Sequence, residues 1–207
     1  MDKHSEVEAK FEADGLEVSQ IQDFVDTEIH TLFAPKYEHV TGVDTFMKIG
    51  DKAVRVRNDY SFTHGRKSAC LTVKQRKSKD SMLDRKEVDL FLAPQSSGTD
   101  AEALFKMLGA EVEFRLMKTY HVWMIDDGKY VVCLALYDVR RLTNDFSGNA
   151  GLLADENHRF LEVEIERHST CTETEGKTEL ARWIDQLQKQ FTLEAPVNYS
   201  LYEKFKP

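Results

Sequence analysis

Cysteine is scarce: Cys70, Cys133 and Cys171 are the only three in 207 residues. They are odd in number, far apart and form no CxxC pair, which excludes a disulfide framework and argues against structural zinc. Buried, structural thiols in a reducing cytosol are the expectation. Proline is down to four residues and glycine to ten, so no linker divides the chain and no glycine-rich loop cradles a phosphate. His121, His158 and His168 show no ligand spacing with Cys or acids, and Ser61 and Ser147 sit in no nucleophile elbow. No apolar run approaches the ~18 residues that a bilayer span needs. The charged N-terminus does not read as a secretory leader, so a cytoplasmic protein without a membrane partner is expected. A surplus of positive charge is missing too. The formal net charge is −8, which argues against nonspecific binding to duplex nucleic acid or an acidic membrane surface.

What is present is alternation. In Glu6-Val7-Glu8-Ala9-Lys10-Phe11 the charges fall on one face of a strand and the apolar residues on the other. Alone, this is a plain half-buried surface strand. Four later segments repeat it: Val54-Arg55-Val56-Arg57, Leu71-Thr72-Val73-Lys74-Gln75-Arg76, Arg85-Lys86-Glu87-Val88-Asp89-Leu90 and Leu161-Glu162-Val163-Glu164-Ile165-Glu166. The acidic total hides a local basic excess from Arg55 to Lys86.

Between these strands, Ser19 with Gln22 predicts a capping box, opening a helix with the stripe Ile21, Phe24, Val25, Ile29, Leu32 and Phe33. Tyr37 to Phe46 is mixed in character. Ile49 to Lys52 reads as a hairpin turn, and Asp59 to Lys67 as a polar connection. Thr99 with Glu102 predicts a second capping box, for a short helix with the apolar face Ala101, Leu104, Phe105 and Leu108, closed by Gly109. Strands are expected at about 113–125 and 129–138, joined by Asp126-Asp127-Gly128. Thr143 to His158 is a polar loop. A third amphipathic helix covers roughly 178–191, and Asn198 to Phe205 ends in a short helical piece. With no internal repeat, residues 1–207 read as a single domain.

The helices have stripes to bury, and Val7, Val56, Val73, Val88 and Val163 can receive them. The charged faces then turn away from the helices. Strands curled into a closed barrel would put those faces inside, lining a lumen. Unpaired charge in a dry core costs several kcal/mol per ion, so the lumen must be wet or hold a charged ligand. Arg55, Arg57, Lys74, Arg76 and Arg85 suit a polyphosphate, gripped by charge-assisted hydrogen bonds. Carboxylates two apart, as in Glu6/Glu8 and Glu162/Glu164, suit a hard divalent cation such as Mg²⁺ or Mn²⁺.

Glu6-x-Glu8-x-Lys10 resembles the ExExK signature of the CYTH superfamily, the triphosphate tunnel metalloenzymes. The later Arg-x-Arg, Lys-x-Arg, Arg-x-Glu and Glu-x-Glu strands of that family are matched by Arg55/Arg57, Lys74/Arg76, Arg85/Glu87 and Glu162/Glu164. Lys118 resembles its next tunnel lysine, and Asn198-Tyr199-Ser200-Leu201-Tyr202 its C-terminal segment. Departures are Tyr120, where members often carry an Arg; the compact Asp44-Thr45-Phe46, a partial echo of a longer stretch; and the long Thr143 to His158 loop.

The resemblance implies an α+β fold: a closed eight-stranded antiparallel β-barrel, or tunnel, with a charged lumen and helices packed outside. It implies a divalent-metal-dependent hydrolase of a small-molecule triphosphate, whether inorganic, nucleoside or thiamine triphosphate, or of the 5′-triphosphate of RNA. Alternatives are an adenylyl cyclase of the same fold and a protein that sequesters a polyphosphate without turnover. Lys10, Arg55, Arg57, Lys74, Arg76, Arg85 and Lys118 would hold phosphates. Glu6, Glu8, Glu162 and Glu164 would hold metal, with Asp138 as an extra ligand and Lys10 orienting the attacking water. Glu87 would hold a neighbouring Arg, and Glu166 reads as solvated. Monomer and homodimer both stay open.

Overall fold

The computed structural model describes residues 6–29, 33–50, 52–76, 85–93, 98–142, 157–167 and 171–206; the side chains of Glu6, 74–76, 85–89 and Arg167 lie outside that description. The expected loop at Thr143 to His158 falls outside it through residue 156, as do Leu32, Ser147 and His168. Eight strands are present: β1 (Glu6–Glu12), β2 (Lys36–Ile49), β3 (Lys52–Ser61), β4 (Arg66–Arg76), β5 (Arg85–Phe91), β6 (Glu111–Asp126), β7 (Tyr130–Leu142) and β8 (His158–Arg167). Among the described residues these strands are accompanied by four α-helices: α1 (Val18–Phe24), α2 (Gly98–Met107), α3 (Glu173–Phe191) and α4 (Leu201–Phe205). Among the described residues, no helix is long and apolar enough to cross a membrane.

The fold is α+β, with one antiparallel sheet in the order β1-β8-β7-β6-β2-β3-β4-β5. Strand number and pairing sense match the expectation. Closure does not: β1 and β5 stand at the two ends of the order, and no ladder joins them among the described residues. These two end strands are also the shortest, at seven residues each.

By contacts the chain forms two compact units. The first comprises residues 1–39, 120–138 and 158–198, and the second residues 40–119, 139–157 and 199–207. In the first, β1 pairs with β8 so that Val7 opposes Ile165, Ala9 opposes Val163 and Phe11 opposes Leu161. This apolar face is buried with Ile21 and Phe24 of α1 and Leu180, Trp183 and Leu187 of α3. Each fully buried Val, Leu or Phe contributes about 1.5–3 kcal/mol of hydrophobic stabilisation, so the alternating pattern alone fixes which face the helices cover.

Three local expectations shift here. The first helix is capped two residues earlier than expected, with Glu17 and Gln20 in place of Ser19 and Gln22 as the reciprocal box. Gln22 is used elsewhere, accepting from the Trp123 indole N–H and donating to Asp26. After α1 the chain widens into a π-helical turn, Val25–Ile29. Helix α3 starts at Glu173, not near 178, because Thr172 and Glu175 form a capping box before the apolar stripe begins. The hairpin at Asp126 to Gly128 is as expected. Asp127 Oδ1 accepts from the backbone of Lys129 and Tyr130 at 2.8 and 2.7 Å, and Gly128 supplies a φ of 81°.

In the second unit the segment that read as mixed is one 14-residue strand, β2. It pairs with β3 through Ile49 and Lys52, across the expected turn at Gly50. Strands β3 and β4 extend into the expected Asp59 to Lys67 connection and pair as far as Ser61 and Arg66. Helix α2 is rotated from its predicted face. Ala101 and Phe105 pack against Met47 and Val56, whereas Leu104 and Leu108 are exposed. The side toward the sheet carries Glu102 instead, which does not cap the helix. It accepts from Thr45 Oγ1 at 2.6 Å and from Arg115 Nη2 at 2.6 Å. That half-buried polar contact sets the rotation, because Glu102 is one residue off the stripe that hydrophobicity alone selects.

Candidate functional site

In the first unit, burial of Val7, Ala9 and Phe11 leaves Glu8 and Lys10 on the other face of β1, and the register against β8 sets Glu8 opposite Glu164 and Lys10 opposite Glu162. Glu6 opposes Glu166 by the same register. One carboxylate oxygen each from Glu8, Glu162 and Glu164 lies within 4.8 Å of the others, all three side chains being half-buried. Three like charges this close disfavour one another unless a cation is among them. The donors are all oxygen, which fits a hard divalent ion such as Mg²⁺ or Mn²⁺. Lys10, only 9% exposed, places its ammonium 3.5 Å from Glu162 Oε2. The same oxygen accepts a 2.8 Å hydrogen bond from the hydroxyl of Tyr137 on β7.

Asp138 is not brought to this group. Both of its oxygens accept from the Arg159 guanidinium, at 2.9 Å from Nε and 2.9 Å from Nη2. Adjacent residues of a strand point to opposite faces. Tyr137 therefore serves the carboxylates, while Asp138 serves Arg159, which also donates to the Leu16 carbonyl at 2.8 Å. The pair braces the connection between β1 and α1.

The second unit carries the basic residues. Arg57 opposes Asp44 across β2 and β3, and Arg55 opposes Thr72 across β3 and β4. Asp44 is 1% exposed and receives a side-on fork from Arg57, at 2.8 Å from Nε and 3.2 Å from Nη2. Lys118 of β6 approaches Asp44 Oδ2 to 2.6 Å. Arg55 Nη2 donates to Thr72 Oγ1 at 2.9 Å, and its buried Nε meets no acceptor among the described residues. Burial alone would raise the Asp44 carboxyl, but Arg57, Lys118 and Arg55 together hold it well below the usual carboxylate range. Lys118 goes the other way. Burial pulls it down to about 8, with Arg57 and Arg55 pushing in the same direction and Asp44 resisting. One anion among three cations is stabilised by all of them, whereas each cation feels the other two.

Lys74, Arg76, Arg85 and Glu87 are placed by backbone register only. Lys74 opposes Glu87, Arg76 opposes Arg85, and Gln75 with Lys86 occupies the alternate position. The cysteines depart from expectation in burial: Cys70, Cys133 and Cys171 form no disulfide among the described residues and are half-buried rather than buried. Cys70 opposes Arg57 in the ladder, so it belongs to the charged face of β4.

Asp44, Thr72, Tyr137 and Arg159 were not singled out by sequence. Asp44 had a signal: an acid is disfavoured inside a strand, so one amid Val40, Thr41, Val43 and Thr45 requires a partner. Tyr137 had none, since an aromatic in a β-run reads as core.

No family model matches the chain, and no curated protein matches it in sequence. Its fold is similar to that of several solved structures along nearly the whole length. Against the PH1819 protein of Pyrococcus horikoshii the TM-score is 0.61 at 17% identity, covering 96% of this chain and 97% of that one. Against a conserved hypothetical protein of Pyrococcus furiosus it is 0.58 at 20%, covering 96% and 99%. A candidate adenylate cyclase from Vibrio parahaemolyticus gives 0.60 at 15%, covering 98% of each. At such identities the likeness is one of fold.

Proposed function

We propose that the chain, acting as a single domain, is a cytoplasmic divalent-metal-dependent triphosphatase of the CYTH type. The observation that carries this reading is the convergence of Glu8, Glu162 and Glu164 oxygens within 4.8 Å. A polyphosphate carrying a divalent cation has the chemistry that an all-carboxylate cluster and a basic cluster would each recognise. When bound, Mg²⁺ or Mn²⁺ would neutralise phosphate charge and polarise the anhydride under attack. Glu8, Glu162 and Glu164, with Glu6, hold that cation. Arg55, Arg57 and Lys118, with Lys74, Arg76 and Arg85, bind phosphate oxygens and absorb the charge that develops during transfer, the main demand of this chemistry. Asp44 keeps Arg57 and Lys118 fixed before ligand arrives, which lowers the ordering cost of binding. Lys10, held against Glu162, orients the attacking water.

The Vibrio protein's description brings ATP cyclisation as the alternative, and product analysis separates the two. A panel of inorganic, nucleoside and thiamine triphosphates and RNA 5′ ends is incubated with and without Mg²⁺ or Mn²⁺. Metal-dependent orthophosphate release is expected; pyrophosphate with cyclic AMP would establish the cyclase, and tight binding without product a sequestering role. Lys74→Ala should lower kcat/KM about tenfold to a hundredfold, from a contact worth about 1.5–3 kcal/mol. Lys86→Ala, at the alternate ladder position, should be silent. The reverse pattern would invert the strand faces and end the proposal.

A further inference from the structure

We infer that Tyr137 is a positioning residue for the carboxylate cluster of Glu8, Glu162 and Glu164, fixing the Glu162 carboxylate through its hydroxyl; this rests on the triphosphatase reading of the same cluster. Glu162 Oε2 has two donors of different kinds, the Tyr137 hydroxyl at 2.8 Å and the Lys10 ammonium at 3.5 Å. A glutamate has three side-chain torsions and loses much rotamer freedom when ordered, so an unheld carboxylate makes a poor ligand.

The two donors divide the work. Lys10 offsets negative charge and competes electrostatically with an incoming cation. A phenol hydroxyl orients the carboxylate without adding a positive charge, so the carboxylate keeps its attraction for a metal. Tyr137 is itself rigid: it is 5% exposed, and its ring packs against Phe160 at 5.7 Å between centroids. Phe160 is fully buried and lies on β8 two residues before Glu162. The anchor and the ligand thus share one strand pair, and the hydroxyl is delivered to a fixed point. Partners of this kind, one shell out from a metal ligand, typically carry about tenfold to a hundredfold in metal affinity. The bland alternative is a buried phenol that simply takes the nearest acceptor, and it predicts no effect on cation binding.

Mn²⁺ alone is titrated into the full chain and free Mn²⁺ is read by electron paramagnetic resonance, with the melting temperature of each variant measured alongside. Tyr137→Phe should weaken Mn²⁺ binding about tenfold while keeping the fold. Phe160→Leu, which perturbs the packing and leaves the hydroxyl, should stay within about twofold of wild type on the same scale. Glu162→Gln should lose more than either. Wild-type Mn²⁺ affinity in Tyr137→Phe, with affinity lost in Glu162→Gln, overturns the role of Tyr137 and leaves the cation site standing. Equal losses in Tyr137→Phe and Phe160→Leu overturn it as well, since packing would then be the cause. Undiminished binding in Glu162→Gln would instead remove the cation site itself.

Discussion

The Asp44 carboxylate and the Lys118 ammonium stand 2.6 Å apart, with side-chain exposures of 1% and 9%. Such a pair is held at a desolvation cost that only good geometry and further hydrogen bonds offset. Here the further bonds come from the Arg57 fork, so the three residues stand or fall together.

Asp44→Asn keeps the shape and removes the anion that Arg57 and Lys118 share. Breaking a buried pair from one side typically costs about 3–5 kcal/mol, and deprotonation of Lys118 trims that toward ~3 kcal/mol. Urea unfolding measures the loss, and a change below ~1 kcal/mol would contradict the buried arrangement. Tripolyphosphate should raise the melting temperature of Asp44→Asn more than that of wild type, because the added anion replaces the missing counter-charge.

Lys118 also sets a pH dependence. Its folded value of about 8 lies below the ordinary 10.5. Between those two pH values the unfolded chain holds a proton that the folded chain has released. This group's contribution to stability therefore rises as pH climbs from about 8 toward 10.5, and its full penalty is present below about pH 8. Ligand affinity runs the opposite way, since a polyphosphate favours the ammonium. Metal-free tripolyphosphate binding should weaken above about pH 8, with proton uptake visible by calorimetry in two buffers of different ionisation heat. Lys118→Arg should flatten the profile; a flat wild-type profile would sink the assignment.

Asp138→Asn distinguishes a brace from a ligand. Both members of its pair with Arg159 are partly exposed, so solvent screening limits the loss of stability to about 1 kcal/mol or less. Mn²⁺ affinity should be unchanged. A loss of about tenfold or more, the size typical of a group close to a metal, would return Asp138 to the cation site.

Much of this was legible because strand alternation has a period of two and leaves no freedom: once Val7, Ala9 and Phe11 are buried, Glu8 and Lys10 share the opposite face. Glu162 and Glu164 share a face for the same reason, but the pairing of β1 with β8 was not legible, because alternation chooses a face and not a partner strand. Where polar residues were buried, the pattern misled. Strand β2 read as mixed because Asp44 and Thr45 interrupt its apolar run, yet both are buried and paired. Helix α2 was turned because Glu102, not Leu104, faces the sheet. Asp138 pairs with Arg159 and Tyr137 reaches Glu162 because adjacent residues on a strand point to opposite faces, and nothing local marks the choice.

The pairing of β1 with β8 has a kinetic side. Glu8 and Glu164 meet across strands roughly 150 residues apart in sequence. During synthesis β1 emerges early with Val7, Ala9 and Phe11 uncovered, and most of the chain must follow before its partner strand exists. At about 5–20 residues per second, that interval is on the order of ten seconds, during which the nascent strand edge is open to wrong partners. Glu6, Glu8, Lys10 and Glu12 put charge at every second position of that edge, which guards a waiting strand against pairing with a neighbour. The charged residues of β1 thus act as gatekeepers while its partner strand is still being made.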